Sequence, residues 1–170
     1  MQRGLTAAVD AARAALDAQA GAGTVLTAAG DAWSDRAGGT SGALWGVILR
    51  SLGSALGDEA KPDAATVAVG VAAALDAVSN LGKAQLCDKT LIDVLHPFAQ
   101  ALAAGAAQNL TVAAAWTMAA HIADEAAQAT RNLMPRIGRA RPHAEKSIGT
   151  PDPGAVSMAL IIRAADKIIR

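Results

Sequence analysis

The sequence is poor in aromatic residues and in cysteine. Aromatic side chains make up 2% of the 170 residues, and tyrosine is absent. Alanine, with Leu, Val and Ile, supplies most of the 52% of residues that are hydrophobic. Because small side chains suit helices that pack closely, this composition favours an all-α fold over an aromatic-rich sheet. The single cysteine, Cys87, cannot form an internal disulfide, which agrees with a reducing compartment.

The chain also lacks an excess of charge of either sign. Fifteen basic residues balance 15 acidic ones, and no basic stripe suited to a nucleic-acid backbone is visible. Apolar runs are interrupted before the ~20 residues that span a bilayer, and no signal-peptide pattern follows Met1. We therefore expect a cytoplasmic protein with neither a nucleic-acid nor a membrane partner.

Motifs of the commoner catalytic classes are missing. His121 and His143 have no Cys or His partner at metal-ligand spacing, so zinc is not indicated. The Gly-x-Ser-x-Gly pattern, the Walker pattern and the protein-kinase signatures do not occur. We predict neither a metal ligand nor a catalytic residue in this chain.

Apolar residues recur at helical spacing in seven segments. The first two segments, 5–16 and 25–37, are each followed by glycines that end them. Thr40 or Ser41 is the predicted cap of the third helix, and Asp63 is the predicted cap of the fourth. Short connections imply antiparallel neighbours, so we predict an up-and-down helical bundle or a closed helical barrel.

The last three helices have less regular boundaries. The fifth is predicted over Leu91–Gly105, and Pro97 inside it predicts a kink or a later start. Asn109 is the predicted cap of the sixth helix. Residues 134–152 lose the periodicity and are crowded with proline and glycine, which is typical of a functional or mobile loop. Asp152-Pro153-Gly154 then predicts the cap and first turn of the seventh helix.

One glycine-rich stretch, Gly38 to Gly42, separates the second and third helical patterns. Glycines allow a sharp turn and a close approach of phosphate to the backbone, and a helix N-terminus carries a partial positive charge. The stretch is therefore a candidate phosphate-binding loop. The same residue types also form an ordinary turn with a Ser or Thr cap, so both interpretations stay open.

Two further motifs follow this loop at a characteristic spacing. The first is Asp88-Lys89-Thr90-Leu91-Ile92-Asp93-Val94-Leu95; the second is Gly138-Arg139-Ala140 followed by Glu145-Lys146-Ser147-Ile148-Gly149-Thr150-Pro151-Asp152-Pro153-Gly154-Ala155. With the glycine loop they make the chain resemble the nucleotide-binding (L) domain or subunit of the dihydroxyacetone kinases. The resemblance implies one L-type domain over residues 1–170. Its fold would be a barrel of eight antiparallel helices, about seven of them here.

The resemblance also implies which residues contact ATP or ADP. The phosphates would lie against Gly38, Gly39, Thr40, Ser41 and Gly42. Arg139 and the turn Asp152, Pro153 and Gly154 would close over the adenosine. Cys87 and Asp88 would also contact the nucleotide, and the family has a glycine where Cys87 stands. His96 would border the adenine, although a histidine inside a helix is usually an ordinary core or surface residue.

In the family, a Gly-Asp-Gly-Asp-His-Gly motif that binds magnesium lies before the position of Met1, and it does not occur in this chain. The resemblance therefore implies an N-terminally truncated domain that lacks its Mg²⁺ ligands and is inactive alone. A helical barrel without one helix would expose an apolar seam, which a homodimer could cover.

The expected function is that of the ATP/ADP-binding domain of a kinase for dihydroxyacetone or a related short ketose. The resemblance implies a K-type ketose-binding domain or subunit as the partner that holds the sugar. In some members a phosphotransferase-system phosphocarrier recharges the bound ADP. The alternative is a non-catalytic nucleotide-binding or regulatory module.

Overall fold

The computed structural model of the chain describes residues 2–138, 141 and 144–169. Arg139, which the resemblance assigns to the nucleotide, lies outside these residues. Seven α-helices and no strand occur in the part of the chain described, so the predicted all-α class is confirmed. The chain divides into two compact units, Met1–Gly82 and Lys83–Arg170.

The first unit consists of four consecutive helices that pack against one another in chain order. Contacts between helix ends show that neighbours are antiparallel: Gly4 of the first helix lies against Ala37 at the end of the second. Trp33 and Trp45 stack in the core with ring centroids 5.4 Å apart. The four helices are α1 (Gln2–Asp17), α2 (Ala22–Ala37), α3 (Gly39–Leu56) and α4 (Ala64–Gly82).

Glycines let α2 and α3 approach to backbone contact. A Cβ added to Gly23 would lie 2.8 Å from the carbonyl oxygen of Gly53. A Cβ added to Gly30 would lie 2.9 Å from the carbonyl oxygen of Gly46. A larger residue at these positions would therefore force the two helices apart.

Helix α4 is long and apolar enough, by length and composition alone, to cross a membrane. A buried core helix has the same features, and 39% of the apolar window of α4 is buried. Val67, Val71, Ala74 and Val78 are buried and share one face at helical spacing. The arrangement is that of a helix with one face in a protein core.

Three long helices occur in the part of the second unit that the structure describes, together with 3₁₀ turns on either side of Gly138. Phe98 packs edge to face on Trp116 with ring centroids 5.0 Å apart. The indole N–H of Trp116 donates to the carbonyl oxygen of Ile162 at 2.9 Å. The helices are α5 (Ile92–Ala107), α6 (Val112–Ala129) and α7 (Pro153–Ile169), and the turns are Thr130–Asn132 and Glu145–Ser147.

Two of the predicted helix caps are confirmed and two are wrong. Asp63 accepts from the N–H of Thr66 at 2.8 Å, and Asp152 accepts from the N–H of Ala155 at 2.8 Å. Thr40 and Ser41 do not cap α3, because the helix already begins at Gly39 and has no side-chain cap. Asn109 does not cap α6 either, since it has a φ of 55° and precedes the observed cap. The cap is Thr111, whose hydroxyl accepts from the N–H of Ala114 at 3.2 Å.

Helix α5 does not follow its predicted boundaries. It is continuous through Pro97, so a start after the proline is wrong. It also continues past Gly105 to Ala107. A Cβ added to Gly105 would lie 2.8 Å from Cβ of Ala115, so this glycine serves the close packing of α5 on α6.

Candidate functional site

The start of α3 is an open helix N-terminus built from glycine. Gly38 precedes the helix with φ 61° and ψ 159°, and Gly39 has a φ of 63°. Both glycines are exposed, and an added Cβ at either one would meet nothing within 4 Å. No side chain caps the helix. Since the first four N–H groups of a helix have no intrahelical acceptor, this end offers donors to an external anion.

Thr40 and Ser41 follow in the first turn of α3 and are exposed, whereas Gly42 is buried against Ala37. An added Cβ at Gly42 would lie 3.1 Å from the Ala37 side chain. The two hydroxyls therefore stand beside the free amides, and Gly42 fixes the packing of the turn on α2. This geometry suits a phosphate group, which accepts several hydrogen bonds at once.

A second constellation lies before α5 and is organised by Asp93. The Asp93 carboxylate accepts from the N–H of Cys87 at 2.5 Å and from the N–H of Thr90 at 2.7 Å. The Thr90 hydroxyl accepts from the N–H of Ile92 at 3.2 Å. Thr90 and Asp93 have the spacing of a capping box, but only the contact made by the Asp93 carboxylate is formed, because the Thr90 hydroxyl accepts from Ile92 instead of Asp93. The spacing is a local sequence signal for the contact between Asp93 and Thr90.

Cys87 has a left-handed backbone with a φ of 71°. Only glycine adopts that region without steric cost, so the glycine that the resemblance implies at this position would suit this backbone. The Cys87 residue is exposed, whereas the next residue, Asp88, is only 8% exposed. The Asp88 carboxylate accepts from the N–H of Gln85 at 2.8 Å, so it closes the same turn.

Lys89 is a buried cation in this turn. It is 4% exposed and has a φ of 62°. Its ammonium donates to the carbonyl oxygen of Ser147 at 2.6 Å and lies 3.4 Å from the Ser147 hydroxyl. The contact joins residues that are 58 positions apart in the chain. Sequence periodicity carries no signal for such a distant pairing.

Asp152 begins α7 in a partly buried position. Its N–H donates to the hydroxyl of Thr130 at 2.9 Å, which ties the start of α7 to the end of α6. Burial raises the pKa of the Asp152 carboxyl. The N–H groups of Ala155 and Gly154 lower this pKa, the charge of Asp93 raises it, and the charge of Lys89 lowers it. The Asp152 carboxyl therefore lies within electrostatic range of both Asp93 and Lys89.

These contacts bring two of the predicted nucleotide-binding segments together. The N–H of Arg136 donates to the carbonyl oxygen of Asp88 at 3.2 Å, and that of Gly149 to the carbonyl oxygen of Arg131 at 2.8 Å. Gly154 lies beside Leu91, since its added Cβ would be 3.7 Å from the Leu91 nitrogen. The Asp88 turn and the Asp152-Pro153-Gly154 turn therefore share one surface of the second unit.

The remaining predicted residues are placed as follows. His96 is half-buried in the second turn of α5. The Gly38–Gly42 stretch belongs to the first unit. Among the residues that the structure describes, no group of three or more His, Cys, Asp or Glu side chains could hold a metal ion. The described side chains therefore do not fit a magnesium site.

The fold and these motif segments define a class of domain. The family described as "DAK2 domain" matches residues 1–167, and the chain belongs to this family. The chain is 52% identical over 169 residues to the L-erythrulose kinase of Pectobacterium atrosepticum, with 99% of this chain and 29% of that protein covered. It therefore spans less than a third of the length of that relative.

A second relative is the "PEP-dependent dihydroxyacetone kinase, ADP-binding subunit DhaL" of Escherichia coli strain K12. It is 42% identical over 88 residues, which are 52% of this chain and 42% of that protein. The crystal structure of the dihydroxyacetone kinase of C. freundii superposes with a TM-score of 0.66 and 23% identity. It covers 95% of this chain and 27% of that one, and it confirms the fold. The predicted membership of the L-domain family is confirmed.

Proposed function

We propose that this chain is the ATP- or ADP-binding domain of a kinase for dihydroxyacetone, erythrulose or a related short ketose. The observation that carries the proposal is the uncapped, glycine-built start of α3, with space around Gly38 and Gly39 for a phosphate. The relatives support the reaction class, since they are named as kinases and one of them as an ADP-binding subunit.

The chain's own residues would bind and orient the nucleotide. The amides at Gly39–Gly42 and the hydroxyls of Thr40 and Ser41 would hold the phosphates. Phosphoryl transfer depends on positioning and charge neutralisation, so a binding domain can contribute to it without a nucleophile of its own. Bound Mg²⁺ would neutralise phosphate charge, and its ligands would come from outside the described residues.

Further partners complete the proposal. The ketose would be held by a separate K-type domain or subunit, and the phosphoryl group would come from ATP or, through bound ADP, from a phosphotransferase-system phosphocarrier. Without a K-type partner and a source of Mg²⁺ ligands the chain alone would not turn over. We propose a cytoplasmic location, where nucleotides and short ketoses are available.

An amide NMR titration tests the nucleotide directly. ADP with excess Mg²⁺ is added at up to millimolar concentration to the ¹⁵N-labelled chain, so that weak binding is also detected. The amides of Gly39, Thr40, Ser41 and Gly42 are expected to shift together and to saturate. If ADP saturates no resonance of this stretch, the proposed phosphate site is wrong.

An acidic substitution separates binding from stability. Ser41→Glu places a negative charge in the first turn of α3, which should stabilise the helix by roughly 0.3–1 kcal/mol. The same charge should repel the phosphates and weaken ADP binding by about tenfold, because like charges at close range repel by more than 1 kcal/mol. Ser54→Glu, at an exposed serine in the last turn of α3, is the matched control. It should leave ADP affinity unchanged.

A further inference from the structure

The position of Lys89 is unfavourable for folding unless other groups compensate, because burial removes water from its charged ammonium. A buried ammonium is stable only when acceptors and opposite charges replace its water. The structure supplies both: the Ser147 carbonyl accepts from the ammonium at 2.6 Å, and the Asp152 carboxyl lies within electrostatic range of it. At 4% exposure Lys89 has almost no surface left to contact a ligand directly.

The contact made by Lys89 fastens the connection between α6 and α7 to the turn before α5. The same connection is attached at only a few other described points, among them the Arg136 bond to Asp88 and the Gly149 bond to Arg131. Ser147 lies five residues before Asp152, the cap of α7. A loss of the Lys89 contact would therefore release the chain that leads into the Asp152-Pro153-Gly154 turn.

We propose that Lys89 is a positioning residue for the nucleotide, acting through the Ser147 carbonyl to hold the Asp152-Pro153-Gly154 turn against the Asp88 turn. This inference rests on the proposed nucleotide-binding function. Lys89 itself does not touch the nucleotide. Its ammonium orders two segments of the second unit that would otherwise be joined by a long, proline- and glycine-rich connection.

The test compares Lys89→Met with Lys83→Met. Lys83 is an exposed lysine whose φ is 52°, so it controls for the loss of a cation at a left-handed position of the same segment. In Lys89→Met we expect hydrogen exchange at the amides of Ser147, Ile148 and Gly149 to accelerate at least tenfold. ADP affinity should fall by about tenfold. Lys83→Met should change neither quantity by more than twofold.

Two more variants separate positioning from general stability. Lys89→Arg keeps a cation that can donate to Ser147, and it should recover most of the ADP affinity and part of the protection. Leu102→Ala removes a fully buried side chain of α5, so it should lower stability without accelerating exchange at 147–149 relative to the rest of the unit.

The outcomes are distinguishable. If Lys89→Met leaves exchange at 147–149 unchanged, or accelerates it while ADP affinity stays within twofold, the proposal is overturned. If Lys89→Met does not fold, the same measurements on Lys89→Gln decide the matter with the same criteria. If ADP shifts no amide of the parent chain, the proposed function fails first and the Lys89 proposal fails with it.

Discussion

The starts of α3 and α7 are both predicted to contact a nucleotide, but only the start of α7 has a side-chain cap. At α3 the residues are glycines, no side chain caps the helix, and the space beside the backbone is open. At α7 the carboxylate of Asp152 already accepts from the N–H of Ala155. An incoming phosphate would meet free donors at α3 and a carboxylate at α7. Taken separately, the start of α3 is therefore better suited to a phosphate than the start of α7.

The largest expected effect is a loss of stability when a side-chain acceptor is removed from the second unit. Asp93→Ala removes the carboxylate that accepts from Cys87 and Thr90. Hydrogen bonds to a charged group contribute roughly 1.5–3 kcal/mol each, so we expect a loss of about 3 kcal/mol in the free energy of unfolding. Urea denaturation measures it. Ser41→Ala, at the open start of α3, should change stability by less than about 0.5 kcal/mol. A loss from Asp93→Ala no larger than this would contradict the comparison.

The next effect concerns the backbone at α3. Gly38 has a φ of 61° and a ψ of 159°, a conformation almost confined to glycine, so Gly38→Ala should cost about 2 kcal/mol of stability. Gly57, at the other end of α3, has a φ of 61° and a ψ of −170° and is the matched control. Both alanine variants should lose similar stability in urea denaturation. Only Gly38→Ala should weaken ADP binding. If Gly57→Ala weakens ADP binding as much as Gly38→Ala does, the proposal that the start of α3 binds the phosphates is wrong.

A third prediction compares two helix caps of the same chemistry. Burial raises the pKa of Asp152, whereas the bonds from Thr66 lower the pKa of the exposed Asp63. A raised pKa in the folded state means that the Asp152 carboxyl favours folding below its ordinary value of 3.8 and loses that contribution as pH rises through the raised value. Asp63 behaves in the opposite way: its contribution is present above 3.8 and is lost as pH falls.

Asparagine can replace either aspartate as a cap but does not titrate. The stability of Asp152→Asn relative to the parent chain should therefore rise with pH from 3.8 up to the raised pKa of Asp152. That of Asp63→Asn should fall as pH rises through the acidic range towards and past 3.8. Urea denaturation across acidic to neutral pH measures both. If the relative stability of both variants changes with pH in the same direction, burial does not give the two caps opposite pH dependence, and the prediction is wrong.

The smallest expected effect is a gain of stability. Cys87 has a φ of 71°, so Cys87→Gly should relieve left-handed strain, and the greater freedom of glycine in the unfolded chain offsets part of the gain. We expect about 0.5 kcal/mol. Cys87→Ala keeps the Cβ and should show no gain in the same denaturation experiment. If alanine stabilises as much as glycine, the sulfur and not the backbone is responsible.

Local sequence signals predicted a large part of this architecture. Apolar periodicity indicated all seven helices. Asp63 and Asp152 were predictable as helix caps because a cap residue bonds to an N–H only three positions away. The same reasoning was wrong at Thr40 and Ser41, where two glycines in left-handed conformations start the helix without a side chain. It was also wrong at Gly105, because packing on Ala115 and not helix termination explains that glycine.

The candidate site was less predictable because its contacts join distant parts of the chain. The bond from Lys89 to Ser147 spans 58 positions, and that from Asp152 to Thr130 spans 22. No periodicity or cap pattern records such pairs. Asp93 is different, since its bond from Thr90 is local and the Thr90-x-x-Asp93 spacing was readable from the sequence. The nucleotide roles of the site residues, including Arg139 and His96, stay predictions.

The connection between α2 and α3 has a consequence for how length can vary among related chains. A single residue, Gly38, joins the two helices, and glycines hold them at backbone contact over several turns. An inserted residue would rotate α3 by about 100° and turn Gly46 and Gly53 away from α2. Insertions and deletions in related chains should therefore avoid this junction and gather between α6 and α7, where the connection is long enough to absorb them.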